Sequence, residues 1–180
     1  MELLCIDFMN SQWYNHHDLH REPLTDPLWV AEFLNRWDIT PVNGFPDQHL
    51  PELIRLRQRL LRAVDELEAD RRLSTDSLEA VNRCLSHSAL HYQLTGVAGG
   101  FAATLKPARQ DWQNVLTQIC ISFSQFLIEF AAERIKRCKN AECQWVFYDE
   151  SKNNSRKWCC NTCASLIKVR QYRQKRQTTP

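Results

Sequence analysis

Residues 138–143 read CKNAEC and residues 159–163 read CCNTC, so two close cysteine pairs stand 15 residues apart. Zn²⁺ takes four soft or borderline ligands in a tetrahedron, and two close pairs on separate turns supply that geometry. Cys138, Cys143 and Cys163 are three predicted ligands. The fourth is Cys159, which directly follows Trp158, with Cys160 as the alternative. Since thiolates fill all four positions and leave none for water, the predicted site holds one structural zinc ion and is not catalytic.

Aromatic residues between the cysteine pairs predict a miniature core for this finger. Trp145 and Phe147 are two residues apart, so they share one face of a strand. Trp158 stands directly before the second pair and can join them.

A basic segment follows and reads CASLIKVRQYRQKRQ over residues 163–177, without glycine or proline. As a helix it turns Cys163, Leu166 and Ile167 toward the metal site. A helix with cations on its outer face can enter a major groove or lie along phosphates. We expect Lys168, Arg170 and Tyr172 to reach base edges. The expected phosphate contacts are Lys152, Arg156, Lys157, Arg173, Lys175 and Arg176.

Charge is divided unevenly along the chain. Residues 1–132 carry 11 Lys and Arg against 17 Asp and Glu, a net of −6, whereas residues 133–180 carry 12 against 4, a net of +8. An acidic body with a strongly basic end is typical of polyanion binding. A basic tail that only aids solubility is the alternative.

The residues before the finger predict a mainly helical body. The apolar run from Leu3 to Met9 reads as a short strand packed on the core. Helices are predicted after Asp26-Pro27, from about Pro51 to Ala69, after Ser74 or Thr75, and from Asp111. Two short apolar runs around Gly96, Gly99 and Gly100 predict a β-hairpin. The last helix should run on through residues 134–137 to Cys138, which would dock the finger on the body.

Composition is that of a globular protein, with 43% hydrophobic and 24% charged residues. No apolar run approaches the roughly 20 residues that span a bilayer, and the first residues lack the basic region of a signal peptide. We therefore expect a cytoplasmic, nucleoid-associated protein with reduced cysteines, in which Cys5, Cys84 and Cys120 are plain core residues.

Other constellations are weaker. His16, His17, Asp18 and His20 have metal-binding side chains, but they fall in a predicted loop. No Ser–His–Asp arrangement, phosphate-binding loop or carboxylate pair can be placed, so no catalytic residues are predicted and the chain is not expected to be an enzyme.

Taken together, these motifs resemble the bacterial CGNR zinc-finger proteins with an N-terminal ABATE domain. The family's terminal "LDFVNT"-like motif corresponds to residues 5–11, and its glycine-plus-strand segment to residues 99–101. The finger pattern is matched from Cys138 to Cys159, and "AKVRRYR" is similar to residues 167–173. The signature Cys-Gly-Asn-Arg, however, reads Cys163-Ala164-Ser165-Leu166, and the last cysteine pair is spaced by three residues instead of four.

The resemblance implies a stress-related transcriptional regulator whose N-terminal domain senses a ligand. Asp7 and Asn10 belong to the family-like terminal motif, where they either line a ligand pocket or tie down the N-terminus. The predicted fold is mainly α (α+β): a helical domain with a small β-hairpin over residues 1–133, and a treble-clef-like four-cysteine finger ending in a basic helix over residues 134–180.

The predicted function is DNA-binding transcriptional regulation, as a homodimer with a small-molecule effector. Two alternatives remain open: a finger that binds RNA or an acidic protein, and an enzyme acting on a small molecule.

Overall fold

The computed structural model describes residues 3–13, 22–39, 49–108 and 110–177, without the side chains of Trp13, Pro107, Lys175 and Gln177. The histidine-rich segment with His16, His17, Asp18 and His20 lies outside these residues. Within the described part, no helix is long and apolar enough to cross a membrane.

In these described residues, six helices and two small antiparallel strand pairs make a mostly helical structure, as predicted. The helices are α1 (Leu4–Asn10), α2 (Pro27–Arg36), α3 (Leu50–Asp70), α4 (Thr75–Ser86), α5 (Trp112–Glu129) and α6 (Asn161–Gln177). The strands are β1 (Leu90–Val97), β2 (Gly100–Pro107), β3 (Ile135–Arg137) and β4 (Val146–Tyr148). Single 3-10 turns occupy Ser11–Trp13, Pro23–Thr25 and Ala132–Arg134.

Side-chain caps fix where three helices begin. The Asp26 carboxylate accepts a hydrogen bond from the Leu28 amide at 3.0 Å, and the Ser74 hydroxyl accepts one from the Ser77 amide at 3.2 Å. Asp111 caps α5 in the same way, through the Asn114 amide at 3.0 Å. These bonds satisfy amides that have no partner inside the helix, so the starts of α2, α4 and α5 could be predicted from sequence.

The core of the body lies between α1, α3 and α5. Its fully buried side chains include Phe8, Met9, Leu60, Val64, Ile119, Phe123 and Phe126. Two residues of the finger, Ile135 and Val146, belong to the same buried cluster. The body and the first strands of the finger therefore share one core.

The prediction of a strand at Leu3–Met9 is wrong, because residues 4–10 form helix α1. Six of its seven residues are buried, so the segment has no polar face to mark a helical period. A short apolar run of this kind does not distinguish a buried strand from a buried helix.

The prediction that α5 runs on to Cys138 is also wrong. The helix ends at Glu129, a 3-10 turn follows, and residues 135–137 are strand β3. The extended conformation lets Ile135 enter the core and pair with Tyr148 of β4. The Arg134 guanidinium holds the turn by donating to the carbonyls of Asp149 and Ser151 at 3.0 and 2.7 Å.

Candidate metal centre and nucleic-acid interface

The sulfur atoms of Cys138, Cys143, Cys159 and Cys163 all lie within 4.8 Å of one another. The Sγ atoms of Cys143 and Cys159 are 3.6 Å apart, and those of Cys159 and Cys163 are 3.7 Å apart. Four Zn–S bonds of about 2.3 Å in a tetrahedron require sulfur–sulfur distances of about 3.8 Å. The four thiols thus fit one zinc ion, and no other residue type is needed to complete its coordination.

The two cysteine pairs come from different local structures. Cys138 directly follows β3 and Cys143 closes a tight turn, in which its amide donates to the Asn140 carbonyl at 2.8 Å. Gln144 then takes a left-handed conformation with φ of 49° and turns the chain back into β4. Cys159 stands just before α6, and Cys163 lies in the first turn of that helix. A turn after a strand plus the start of a helix is the treble-clef-like arrangement that was predicted.

Of the two alternatives for the fourth thiol, the structure brings Cys159 into the group. Cys160 is exposed and is not part of the four-sulfur cluster. Nitrogen donors surround the cluster as well. The Cys159 amide lies 3.5 Å from the sulfur of Cys138, and the Asn140 side-chain nitrogen lies 3.6 Å from that of Cys163. Such N–H groups stabilise thiolates by partly neutralising their charge.

The predicted miniature core is present. Phe147 is buried beside the cysteines. The half-buried side chains of Trp145 and Trp158 pack against the same cluster. Trp145 also contacts the main core, so it joins the finger to the body.

A loop at residues 149–156 is organised by the buried carboxylate of Asp149. Lys136 Nζ donates to it at 2.7 Å, and the amides of Ser151 and Arg156 donate at 2.9 and 2.8 Å. Burial opposes the charge, but these hydrogen bonds outweigh it and hold the pKa of Asp149 well below its usual range. The sequence motif included Asp149 without suggesting this role.

Asn10 links the body to the finger. Its side-chain nitrogen donates to the Val146 carbonyl at 2.9 Å, and its side-chain oxygen accepts from the Val146 amide at 2.7 Å. Both residues are buried, so the carboxamide replaces a neighbouring strand for β4. Nearby, Tyr148 packs edge-on against Phe126 and Phe130, with ring centroids 6.0 and 5.9 Å apart.

Asp7, the other residue of the terminal motif, is engaged within the body. Its carboxylate accepts from the Arg36 guanidinium at 2.9 Å and from Trp37 Nε1 at 2.6 Å. The structure thus gives Asp7 and Asn10 separate structural contacts. These contacts match the alternative in which the motif ties down the N-terminus.

Helix α6 exposes its predicted cations. Among its described side chains Cys163 alone is buried, while Lys168, Tyr172 and Arg173 are exposed. Five residues line one hollow of about 550 Å³ along the helix: Lys168, Val169, Tyr172, Arg173 and Arg176. Arg170 lies beside this face and pairs with Glu142 at 2.5 Å.

One part of the expected helix orientation is wrong. Leu166 does not face the metal site, because its side chain is 45% exposed and it is absent from the cysteine cluster. Cys159 just before α6 and Cys163 in its first turn complete the site, so the later turns of the helix are not needed for it. Val169, which sequence reasoning missed, lies on the exposed face between the cations.

The loop cations differ in their availability. Lys152 and Lys157 are exposed. Arg156, in contrast, donates to the carbonyls of Trp158 and Cys159 and lies over the Phe147 ring at 5.1 Å. Its guanidinium therefore supports the finger.

Comparison with known families supplies the broader context. The ABATE family, described as "Putative stress-induced transcription regulator", has a model that matches residues 2–129. The chain belongs to the ABATE family. The CGNR zinc finger model matches residues 134–176, so this ABATE protein carries the finger family directly after its helical part. No curated protein matches the chain. The two family models together support a regulatory role, and the four cysteines lie close enough together to bind one zinc ion.

Proposed function

We propose that this ABATE protein is a transcriptional regulator that binds duplex DNA through α6. The observation that carries the proposal is the exposed cationic face of α6, whose N-terminal turn is fixed by the cysteine cluster. A helix that is rigidly held at one end and cationic along its length can enter the major groove, which is about 12 Å wide. The proposed place of action is the nucleoid, in the cytoplasm.

The proposed contacts follow from the exposed face. Lys168 and Tyr172 lie one turn apart, and we propose that they contact base edges, with Val169 between them against a thymine methyl group. Arg170 can leave its ion pair with Glu142 and contact DNA instead, since an exposed ion pair contributes little stability.

Phosphate contacts are proposed for Lys152, Lys157, Arg173, Lys175 and Arg176. Arg156 is left out of this set because its guanidinium already binds two carbonyls of the finger.

Salt dependence of DNA binding tests the proposal. The zinc-loaded full chain should bind duplex DNA with an affinity that falls steeply with salt, because each phosphate contact releases condensed counterions. Arg173→Ala should weaken binding and reduce the salt slope by about 1. The matched control is Arg72→Ala, which removes an exposed cation of the body instead. Absence of salt-dependent binding, or equal losses in the two variants, would refute the proposal.

A competition assay separates the rival partners. Duplex DNA should displace a labelled duplex more effectively than single-stranded RNA or an acidic protein does. Stronger competition by either rival would make α6 an RNA-binding or protein-docking helix instead.

We further propose that the helical domain senses a small polar effector. Arg59, Arg62 and Arg83 line a hollow of about 310 Å³ between α3 and α4, together with the acidic residues Glu66, Asp76 and Glu79. The hollow therefore offers groups of both charges, although Ser74 and Ser77 already donate to the Glu66 carboxylate at 2.9 Å. A small zwitterion that binds there should raise the melting temperature of the wild type but not of Arg59→Ala. Equal shifts in both proteins would place the effector elsewhere.

A further inference from the structure

The β1–β2 hairpin carries an apolar face that no other part of the described structure covers. The two strands pair over eight positions, from Leu90 with Pro107 to Val97 with Gly100. Directly opposed residues project to the same side of a sheet and successive residues alternate. Tyr92, Leu94 and Phe101 therefore share one face, and they are 76%, 68% and 78% exposed.

A hairpin of this kind is not expected to be stable by itself. A two-stranded sheet is marginal in water unless further strands or a helix pack against it. Here the polar face, with Gln93 and Thr95, is exposed as well. The hairpin therefore projects from the body, and over most of its length both of its faces are exposed.

Charge points to the kind of partner that covers the apolar face. Residues 90–105 contain no Asp, Glu, Lys or Arg, although 24% of the whole chain is charged. The segment thus has no charge to attract a nucleic acid or a charged protein surface, and two copies of it meet without repulsion. Lys106 and Pro107 stand at the end of β2 that leads back to the body, and no bulge interrupts the pairing of the rest of the hairpin.

From these observations we propose that the β1–β2 hairpin is a homodimer interface, in which the Tyr92–Leu94–Phe101 face packs on its equivalent in a second copy. A two-fold axis makes such a contact self-complementary, because each copy presents the same patch. The three side chains offer roughly 400 Å² of apolar surface per copy. That is about half of the 800 Å² that each partner of a typical stable interface buries. The hairpin backbone around the patch supplies further area.

The test is the mass of the full zinc-loaded chain in solution, measured without DNA, so that its outcome is independent of the proposed function. Sedimentation equilibrium should show a dimer for the wild type. Leu94→Glu should be a monomer, because it places a charge in the apolar contact. Gln93→Glu is the matched control: it adds the same charge on the opposite face of the same strand and should remain a dimer.

A milder variant keeps the test decisive if Leu94→Glu does not fold. Leu94→Thr preserves strand propensity and should weaken the dimer roughly tenfold to a hundredfold, with unchanged circular dichroism and zinc content. A wild type that is monomeric at about 100 µM, where a dimer with a dissociation constant of about 1 µM would be almost fully formed, would overturn the proposal. A dimer that responds equally to the Leu94 and Gln93 variants, or to neither, would also overturn it.

Discussion

The side chain of Asn10 replaces a strand neighbour for Val146, because one carboxamide satisfies both the amide and the carbonyl of that residue. Buried backbone groups without a partner are costly, so this single residue supports the position of β4. Hydrogen bonds to the Asp149 carboxylate likewise hold the loop between β4 and α6 in place. Asn10 and Asp149 thus support the finger together with its cysteines.

Replacing Asn10 by alanine should destabilise the chain by about 2–4 kcal/mol, because two buried groups of Val146 lose their partners. Urea unfolding followed by tryptophan fluorescence measures the change. Gln12→Ala, at an exposed position two residues away, is the control and should be nearly neutral. Equal stability of the two variants would mean that water replaces the carboxamide.

Replacing Asp149 by asparagine should destabilise the chain by about 2–4 kcal/mol at pH 7, because it leaves half-buried Lys136 without its counter-charge. Since the folded-state pKa of Asp149 is depressed, its contribution is complete above the unfolded pKa of about 3.9 and is lost as pH falls from there.

Unfolding at several pH values, with zinc in excess, measures the Asp149 effect. The difference from the wild type should therefore shrink below about pH 4. The neighbouring Glu150→Gln variant, at an exposed position, controls for the lost charge. A difference that stays constant with pH would contradict the assignment.

Helix α6 packs less against the rest of the described structure than the other elements do. Its first turn contributes Cys163 to the cluster, and further along it the Arg170–Glu142 pair is exposed on both sides. Helices that lack tertiary packing are marginal in water, and most helical stability in proteins comes from a packed face. We therefore expect the last turns of α6 to become more ordered when a partner binds.

Amide hydrogen exchange should detect this difference within α6. In the free protein, amides of residues 170–177 should exchange within about tenfold of the unfolded rate, whereas those near Cys163 should be protected. Duplex DNA should slow exchange over residues 166–177 and leave α4 unchanged. Protection of the whole helix without DNA would show that another surface already supports it.

Sequence patterns predicted the elements whose signals are local. The caps Asp26, Ser74 and Asp111 lie next to the helices they start, and the cysteines carry their own spacing. Helix α1 and strand β3 could not be predicted, because each takes its conformation from distant partners: α1 from burial on nearly all sides, and β3 from pairing with β4. The bonds of Asn10 to Val146 span 136 residues, which no local pattern contains.

At the scale of the whole molecule, the metal site and the body are coupled. Ile135 and Val146 belong to the main core, and two ion pairs cross the boundary: Arg137 with Asp65 at 2.9 Å, and Lys139 with Glu68 at 2.6 Å. The boundary between residues 133 and 134 stays a prediction. On either side of it, folding of one part supports the other.

Removal of zinc should unfold residues 138–176, where metal binding supplies folding free energy on the order of 10 kcal/mol. Helices α3 and α5 should persist, but with a melting temperature about 5–10 °C lower, because the packing of Ile135 and Val146 loosens. Chelator titration followed by amide spectra and a thermal melt measures both effects, and added zinc should reverse them. Unchanged amide signals from the finger would disprove the metal assignment.

The bond between Asn10 and Val146 limits how this protein can be recombined. A cassette of residues 134–176 moved onto another body would lose the carboxamide that satisfies β4 and would expose Ile135 and Val146 to water. A chimaera in which the donor's first ten residues travel with the finger would keep that bond. The first ten residues and the finger would therefore have to be transferred together, although more than a hundred residues separate Asn10 from Val146 in the sequence.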